Sequence, residues 1–114
     1  MSRIRRLDHV GVTVADLDTV SAFFVALGLE VEGRTFLEGE FLDTVIGIPD
    51  ARTEILLLRA SDGGAGVELA RFIRPDHQPG SPAAMATELG LRSMAFEVDD
   101  LQGSSNGWRR TATA

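Results

Sequence analysis

Leu7-Asp8-His9-Val10-Gly11-Val12-Thr13-Val14-Ala15-Asp16-Leu17 and Leu91-Arg92-Ser93-Met94-Ala95-Phe96-Glu97-Val98-Asp99-Asp100-Leu101 are two versions of one pattern. Leu, Val, Asp and Leu recur at matching places, small Gly11 answers small Ala95, and apolar Val10 and Val12 answer Met94 and Phe96. In each copy apolar residues alternate and then meet an aspartate, the pattern of a strand leading into a capped helix. The first copy is followed by a full module of chain, the second only by Gln102 to Ala114. The chain therefore reads as one copy of a repeated unit and the beginning of another.

Working outward from the first copy, Val10, Val12 and Val14 line one face of a strand within residues 4–14, and His9, Gly11 and Thr13 line the other. Asp16 or Asp18 is placed to cap a helix running to about Leu27, with Leu17, Val20, Phe23, Phe24 and Leu27 on one side and Gly28 as the stop. Residues 29–36 alternate again and suit a second strand. Residues 37–50, broken by Gly39, Gly47 and Pro49, read as irregular with room for one helical turn. Residues 52–59 and 67–73 are strand-like and are separated by Ser61-Asp62-Gly63-Gly64-Ala65-Gly66, which predicts a hairpin. That glycine-rich stretch lacks the spacing and lysine of a phosphate loop.

Residues 4–73 thus form an expected α+β module of strand, helix and three strands. Residues 74–90 hold three of the four prolines and read as a linker, with a helical turn expected within 82–89. Residues 91–101 are expected to form the first strand of a second, incomplete module. Residues 102–114, polar apart from Trp108, are expected to be a disordered tail.

With 114 residues there is room for one modest core, burying somewhat less than ~70% of the unfolded surface. Hydrophobic residues at 44% and charged residues at 25% are globular values that argue against wholesale disorder. A net charge of −6 with no basic stripe argues against nucleic acid or an anionic membrane as partner and leaves a small molecule or another protein. The absence of cysteine excludes disulfides and thiolate chemistry. No signal peptide or span of about 18 apolar residues is present, and a cytoplasmic setting is compatible.

Chemistry concentrates on two residues. His9 lies on the polar face of the first strand, and Glu68 stands between apolar Val67 and Leu69. A carboxylate in such company is costly to bury unless it is paired or bound to a cation. Together they suit a divalent metal held by nitrogen and oxygen, although two ligands are too few to hold it. The same residues also suit a Glu68 that points to solvent on a half-exposed hairpin and a His9 hydrogen-bonded at the rim. His77, between Asp76 and Gln78, reads as an exposed loop residue, and Phe23-Phe24-Val25-Ala26-Leu27 reads as helix packing. No nucleophilic triad or carboxylate pair can be assigned.

Leu7 to Gly11, Phe23-Phe24 before Leu27-Gly28-Leu29, the hairpin carrying Val67-Glu68-Leu69, and the repeat from Gly90 to Leu101 together resemble the vicinal oxygen chelate superfamily. This group includes glyoxalase I, methylmalonyl-CoA epimerase, extradiol dioxygenases, and fosfomycin and bleomycin resistance proteins. The resemblance covers residues 4–101 and implies paired βαβββ modules curled into a cup around the ligand. It implies His9 and Glu68 as metal ligands, with Glu68 also a catalytic base, and zinc, nickel, iron or manganese as the ion. The second pair is missing, because Ser93 stands where His9 predicts a ligand and the strand that would bring a second glutamate does not follow.

Three expectations follow from this half-written site. The chain is expected to be a truncated or frame-shifted relative of a metal-dependent lyase, isomerase or dioxygenase that acts on a small substrate with neighbouring oxygens, its activity impaired. Alternatively a homodimer completes the cup, which paired modules make geometrically reasonable. In the third reading the protein is a metal-free small-molecule binder like the bleomycin-sequestering members.

Overall fold

A computed structural model describes residues 2–99 of the chain. Its elements are β1 (His9–Thr13), α1 (Leu17–Ala26), β2 (Glu30–Glu38), α2 (Glu40–Ile46), β3 (Arg52–Arg59) and β4 (Gly66–Arg74), the βαβββ order with one short helix inserted. The four strands form one sheet in the order β1-β4-β3-β2. β1 pairs with β4 in parallel, and β4 with β3 and β3 with β2 antiparallel.

The two faces of this sheet differ as the alternation in the sequence demands. Register places Val10 and Val12 beside Val67 and Leu69, and these beside Leu58 and Leu56. On this face Leu56, Leu58, Val67 and Leu69 are buried, and α1 covers β3 and β4 with Leu17, Ser21 and Phe24. That spacing of four and then three residues is one stripe of a helix. Each large side chain so buried stabilises the fold by about 1.5–3 kcal/mol. Asp16 starts α1, its carboxylate accepting from the Thr19 amide at 3.1 Å and the Thr19 hydroxyl at 2.7 Å. Leu27 caps the other end and Gly28 turns the chain at φ +107°.

Beneath α1 lies a charge cluster that links helix and sheet. Glu54 is 6% exposed. Its carboxylate accepts from Arg34 Nε at 2.8 Å and Arg71 Nη2 at 3.0 Å, while Arg34 Nη1 donates to Asp18 of α1 at 2.9 Å. These hydrogen bonds, Arg34 first and Arg71 next, hold the Glu54 carboxyl below its ordinary range.

Several boundaries differ from the sequence reading. β1 begins at His9 rather than near Ile4, and residues 2–8 are exposed. The stretch read as irregular contains α2, bracketed by Gly39 and Gly47 at φ +114° and +75°. Gly47 is a left-handed stop that residues with a Cβ adopt at a cost. Asp43 of α2 accepts from the Asp50 and Ala51 amides, each at 2.9 Å, and ties the helix to the start of β3.

The chain divides into two compact units between His77 and Gln78. In the second unit, residues 82–89 form turns rather than a helix, with Ala84 N donating to Ser81 O and Glu88 N to Met85 O. Residues 91–99, where the first strand of a second module is expected, are assigned no strand among the described residues. Met94, Phe96 and Val98 are half-buried between exposed neighbours, so the alternation is present although no strand is assigned among the described residues. Strand character requires a paired neighbour as well as a period of two. The remainder of that expected strand, Asp100 and Leu101, and the expected tail lie outside the described residues.

Candidate functional site

The sheet face turned away from α1 is concave and only partly covered. Register brings His9, Gly11 and Thr13 of β1, Glu68, Ala70 and Phe72 of β4, and Thr53, Ile55 and Leu57 of β3 to this side. Together with Leu37 of β2 and Leu42 and Ile46 of α2, residues of this face line a cleft of about 300 Å³. α2, where the sequence reading left room for one helical turn, supplies one wall. Phe41 and Val45, the remaining large apolar residues of that helix, stay exposed.

His9 and Glu68, far apart in sequence, meet at one end of this face. Parallel pairing aligns Gly11 with Glu68, so His9 stands one pleat repeat along the neighbouring strand. His9 Nε2 lies 3.3 Å from Glu68 Oε2, and the two side chains are 39% and 29% exposed. Glu68 is thus a partly exposed carboxylate on the open face, paired with His9. Between them Gly11 contributes no side chain, and a Cβ there would meet nothing within 4 Å.

The other ring nitrogen of His9 is occupied. Nδ1 lies 2.8 Å from Asp8 Oδ2. This hydrogen bond is the largest influence holding the Asp8 carboxyl below its usual range, with Arg59 and Arg6 adding to it. Asp8 is a site neighbour that the sequence reading missed; its adjacency to His9 was the only local signal.

Glu54 has the feature that drew attention to Glu68, a carboxylate in a strand rich in Ile and Leu. It is the more buried of the two, yet it faces α1 and is satisfied by two arginines. His77 is exposed and pairs with its neighbour Asp76 at 3.1 Å. Ser93 is exposed, within the second unit. A hollow of about 440 Å³ within that unit, lined from Ser81 to Arg92, contains no histidine and neither of the candidate residues.

As metal donors, one imidazole nitrogen and one carboxylate oxygen suit zinc, nickel, iron or manganese in type. In number they do not, since a catalytic zinc site uses three protein ligands and a structural one four. No group of three or more His, Cys, Asp or Glu able to hold a metal occurs among the described residues. The site present in these residues does not fit a tightly held ion.

The model of the Glyoxalase/Bleomycin resistance protein/Dioxygenase superfamily matches residues 8–110. The chain belongs to this superfamily. Its fold is shared with a glyoxalase family protein from Bacillus cereus, known from a crystal structure, at a TM-score of 0.86 and 30% sequence identity. The match covers 96% of this chain and 73% of that one. No curated protein matches the chain. Membership of the superfamily agrees with the resemblance drawn from His9, Glu68 and the repeat, and it defines a scaffold that hosts several chemistries. No helix among the described residues is long and apolar enough to cross a membrane.

Proposed function

We propose that the concave face of the β1-β4-β3-β2 sheet is a small-molecule site, with His9 and Glu68 as its polar end and the cleft over Ile55 and Phe72 as its apolar wall. The observation that carries this reading is the 3.3 Å approach of His9 Nε2 and Glu68 Oε2 on the open face, while the opposite face is closed by α1. Small-molecule sites combine a mostly apolar lining with a few convergent polar groups. The natural ligand for such an end is a compact molecule with two neighbouring oxygens or a polarised carbonyl. Glu68 is placed to accept a proton from it, as a general base must be.

The two donors make half of a metal site. Metal-dependent lyase, isomerase or dioxygenase chemistry would require further donors from a second βαβββ unit, for which a second copy of this chain in a homodimer is the simplest source. Alone, the chain is expected to bind divalent ions weakly. A metal-free binding role is favoured by the apolar lining, and the net charge of −6 inclines it to cationic ligands.

Calorimetric titration with zinc, nickel and manganese tests the half-site, and no submicromolar binding is expected. Submicromolar affinity that disappears in His9→Ala would overturn it. NMR titration with small dicarbonyl and hydroxycarbonyl compounds tests the cleft itself. Amide shifts should cluster on β1, β4 and α2; shifts confined to the α1 face would refute the assignment.

A further inference from the structure

Ser21, Glu54 and Thr53 are the buried polar or charged residues among the described ones. Two of them are satisfied within the protein: the Ser21 hydroxyl donates to the Asp18 carbonyl at 3.0 Å, and Glu54 accepts from Arg34 and Arg71. Thr53 differs from both. It is 3% exposed, yet its hydroxyl makes no hydrogen bond among the described residues. On the concave face it stands between Phe72 of β4 and Leu37 of β2, with Ile55 next along its own strand. None of these side chains can donate or accept. The hydroxyl is not sealed off, and Thr53 lines the cleft together with Leu42 and Ile46 of α2. A buried hydroxyl without a partner is costly, and a valine of nearly the same shape would avoid that cost.

The other polar end of the cleft is Glu68. Leu57 is its register partner, and Thr53 lies two pleat repeats farther along β3 on the same face. At about 3.3 Å per residue the two anchors are roughly 13 Å apart along the strands. A hydrogen bond of about 2.8 Å at each end leaves room for a body roughly 8 Å long. The floor between them is apolar, formed by Ala70 and Ile55. Glu68 is the one charged residue among those lining the cleft, and no arginine is among them. An anion therefore finds no counter-charge at Thr53, whereas a neutral hydroxyl or carbonyl finds a hydrogen-bond partner there.

We propose that Thr53 is a second anchor of the cleft, a hydrogen-bonding subsite for a neutral oxygen function at the far end of an apolar ligand whose cationic head meets Glu68. The ligand class is an organic monocation, an amine with a body of single-ring length that ends in a hydroxyl or carbonyl. This rests on the reading of the cleft as a small-molecule site. Selectivity then comes from the hydroxyl, because a ligand without the oxygen closes the cleft over an unpaired polar group.

The test is NMR titration with tyramine and with phenethylamine, which differ only in the oxygen farthest from the amine. Both should shift amides of β1, β4 and α2, and tyramine should bind about tenfold more tightly, the worth of one hydrogen bond. 4-(2-Aminoethyl)benzoate, which carries a carboxylate at that end, should bind more weakly than phenethylamine. Thr53→Val should erase the advantage of tyramine, leave phenethylamine binding unchanged and raise the urea midpoint, since an unpartnered hydroxyl leaves the interior. Glu68→Gln should weaken both amines and preserve their ratio; unchanged affinities would remove the cationic head. Equal affinities of tyramine and phenethylamine in the cleft, or tighter binding of the carboxylate, overturn the subsite and leave the small-molecule site standing. Shifts absent from β1, β4 and α2 with every probe overturn both readings. A lowered urea midpoint or a failure to fold in Thr53→Val shows that the hydroxyl serves the fold and overturns the subsite without any ligand.

Discussion

Replacing Glu54 with glutamine perturbs the join between sheet and helix while keeping side-chain shape. In the parent, one carboxylate oxygen serves Arg34 and the other Arg71. Glutamine retains one acceptor, and its amide then faces a guanidinium that has only hydrogens to offer. One charge-assisted hydrogen bond is lost and the other becomes neutral, a change of about 1.5–3 kcal/mol for a hydrogen bond to a charged group. Breaking a fully buried pair costs more, about 3–5 kcal/mol. The arginine side chains are 41% and 38% exposed, so water recovers part of the loss. We expect a destabilisation of about 2 kcal/mol, a fall of roughly 10 °C in Tm for a domain of this size. Urea unfolding followed by far-UV circular dichroism measures it.

The pH dependence provides a second readout of the same group. The Glu54 carboxyl lies below its ordinary value of 4.5 in the folded protein. As pH falls beneath that value the unfolded chain takes up the proton first, and the stabilisation drains away until the folded group also titrates. The contribution is therefore complete above the ordinary carboxylate range and vanishes in acid. Parent and Glu54→Gln stabilities should converge as the pH is lowered through this window. A difference below about 0.5 kcal/mol at neutral pH, the size of an ordinary surface change, or one that does not shrink in acid, would refute the reasoning.

Other perturbations probe the remaining joints. Leu58→Ala removes a side chain with no exposure and should cost about 2–5 kcal/mol in denaturant melts. Gly66→Ala would place a Cβ 2.8 Å from the Leu58 carbonyl and 3.3 Å from the Arg59 guanidinium carbon, with an expected loss of about 1–3 kcal/mol and a disturbed His9 resonance. Asp43→Ala leaves two backbone amides before β3 without their acceptor, and about 1–3 kcal/mol should be lost by thermal melting, with faster hydrogen exchange at Ala51.

The local pattern was legible because it depends on neighbours in sequence. Alternation in residues 9–13 gave a strand with His9 on its polar face, Asp16 and Gly28 bounded a helix, and the glycine-rich turn separated β3 from β4. The order of those elements, with His9 and Glu68, was enough to suggest the superfamily. α2 escaped because its apolar residues sit between two glycines that read as breakers and none of them is buried. Residues 91–99 show the converse, an alternation as good as that of β1 to which no strand is assigned among the described residues.

Tertiary structure alone decided which residues meet. Nothing in the period of β1 or β4 states that they run in parallel side by side, yet that pairing carries His9 to Glu68 and sets Asp8 against Arg59. It also sent Glu54, rather than Glu68, into the interior with two arginines. The reason is physical: periodicity is set by backbone geometry within a few residues, whereas pairing and facing are set by the burial of one whole sheet surface beneath α1. That burial is satisfied only when all four strands are in register.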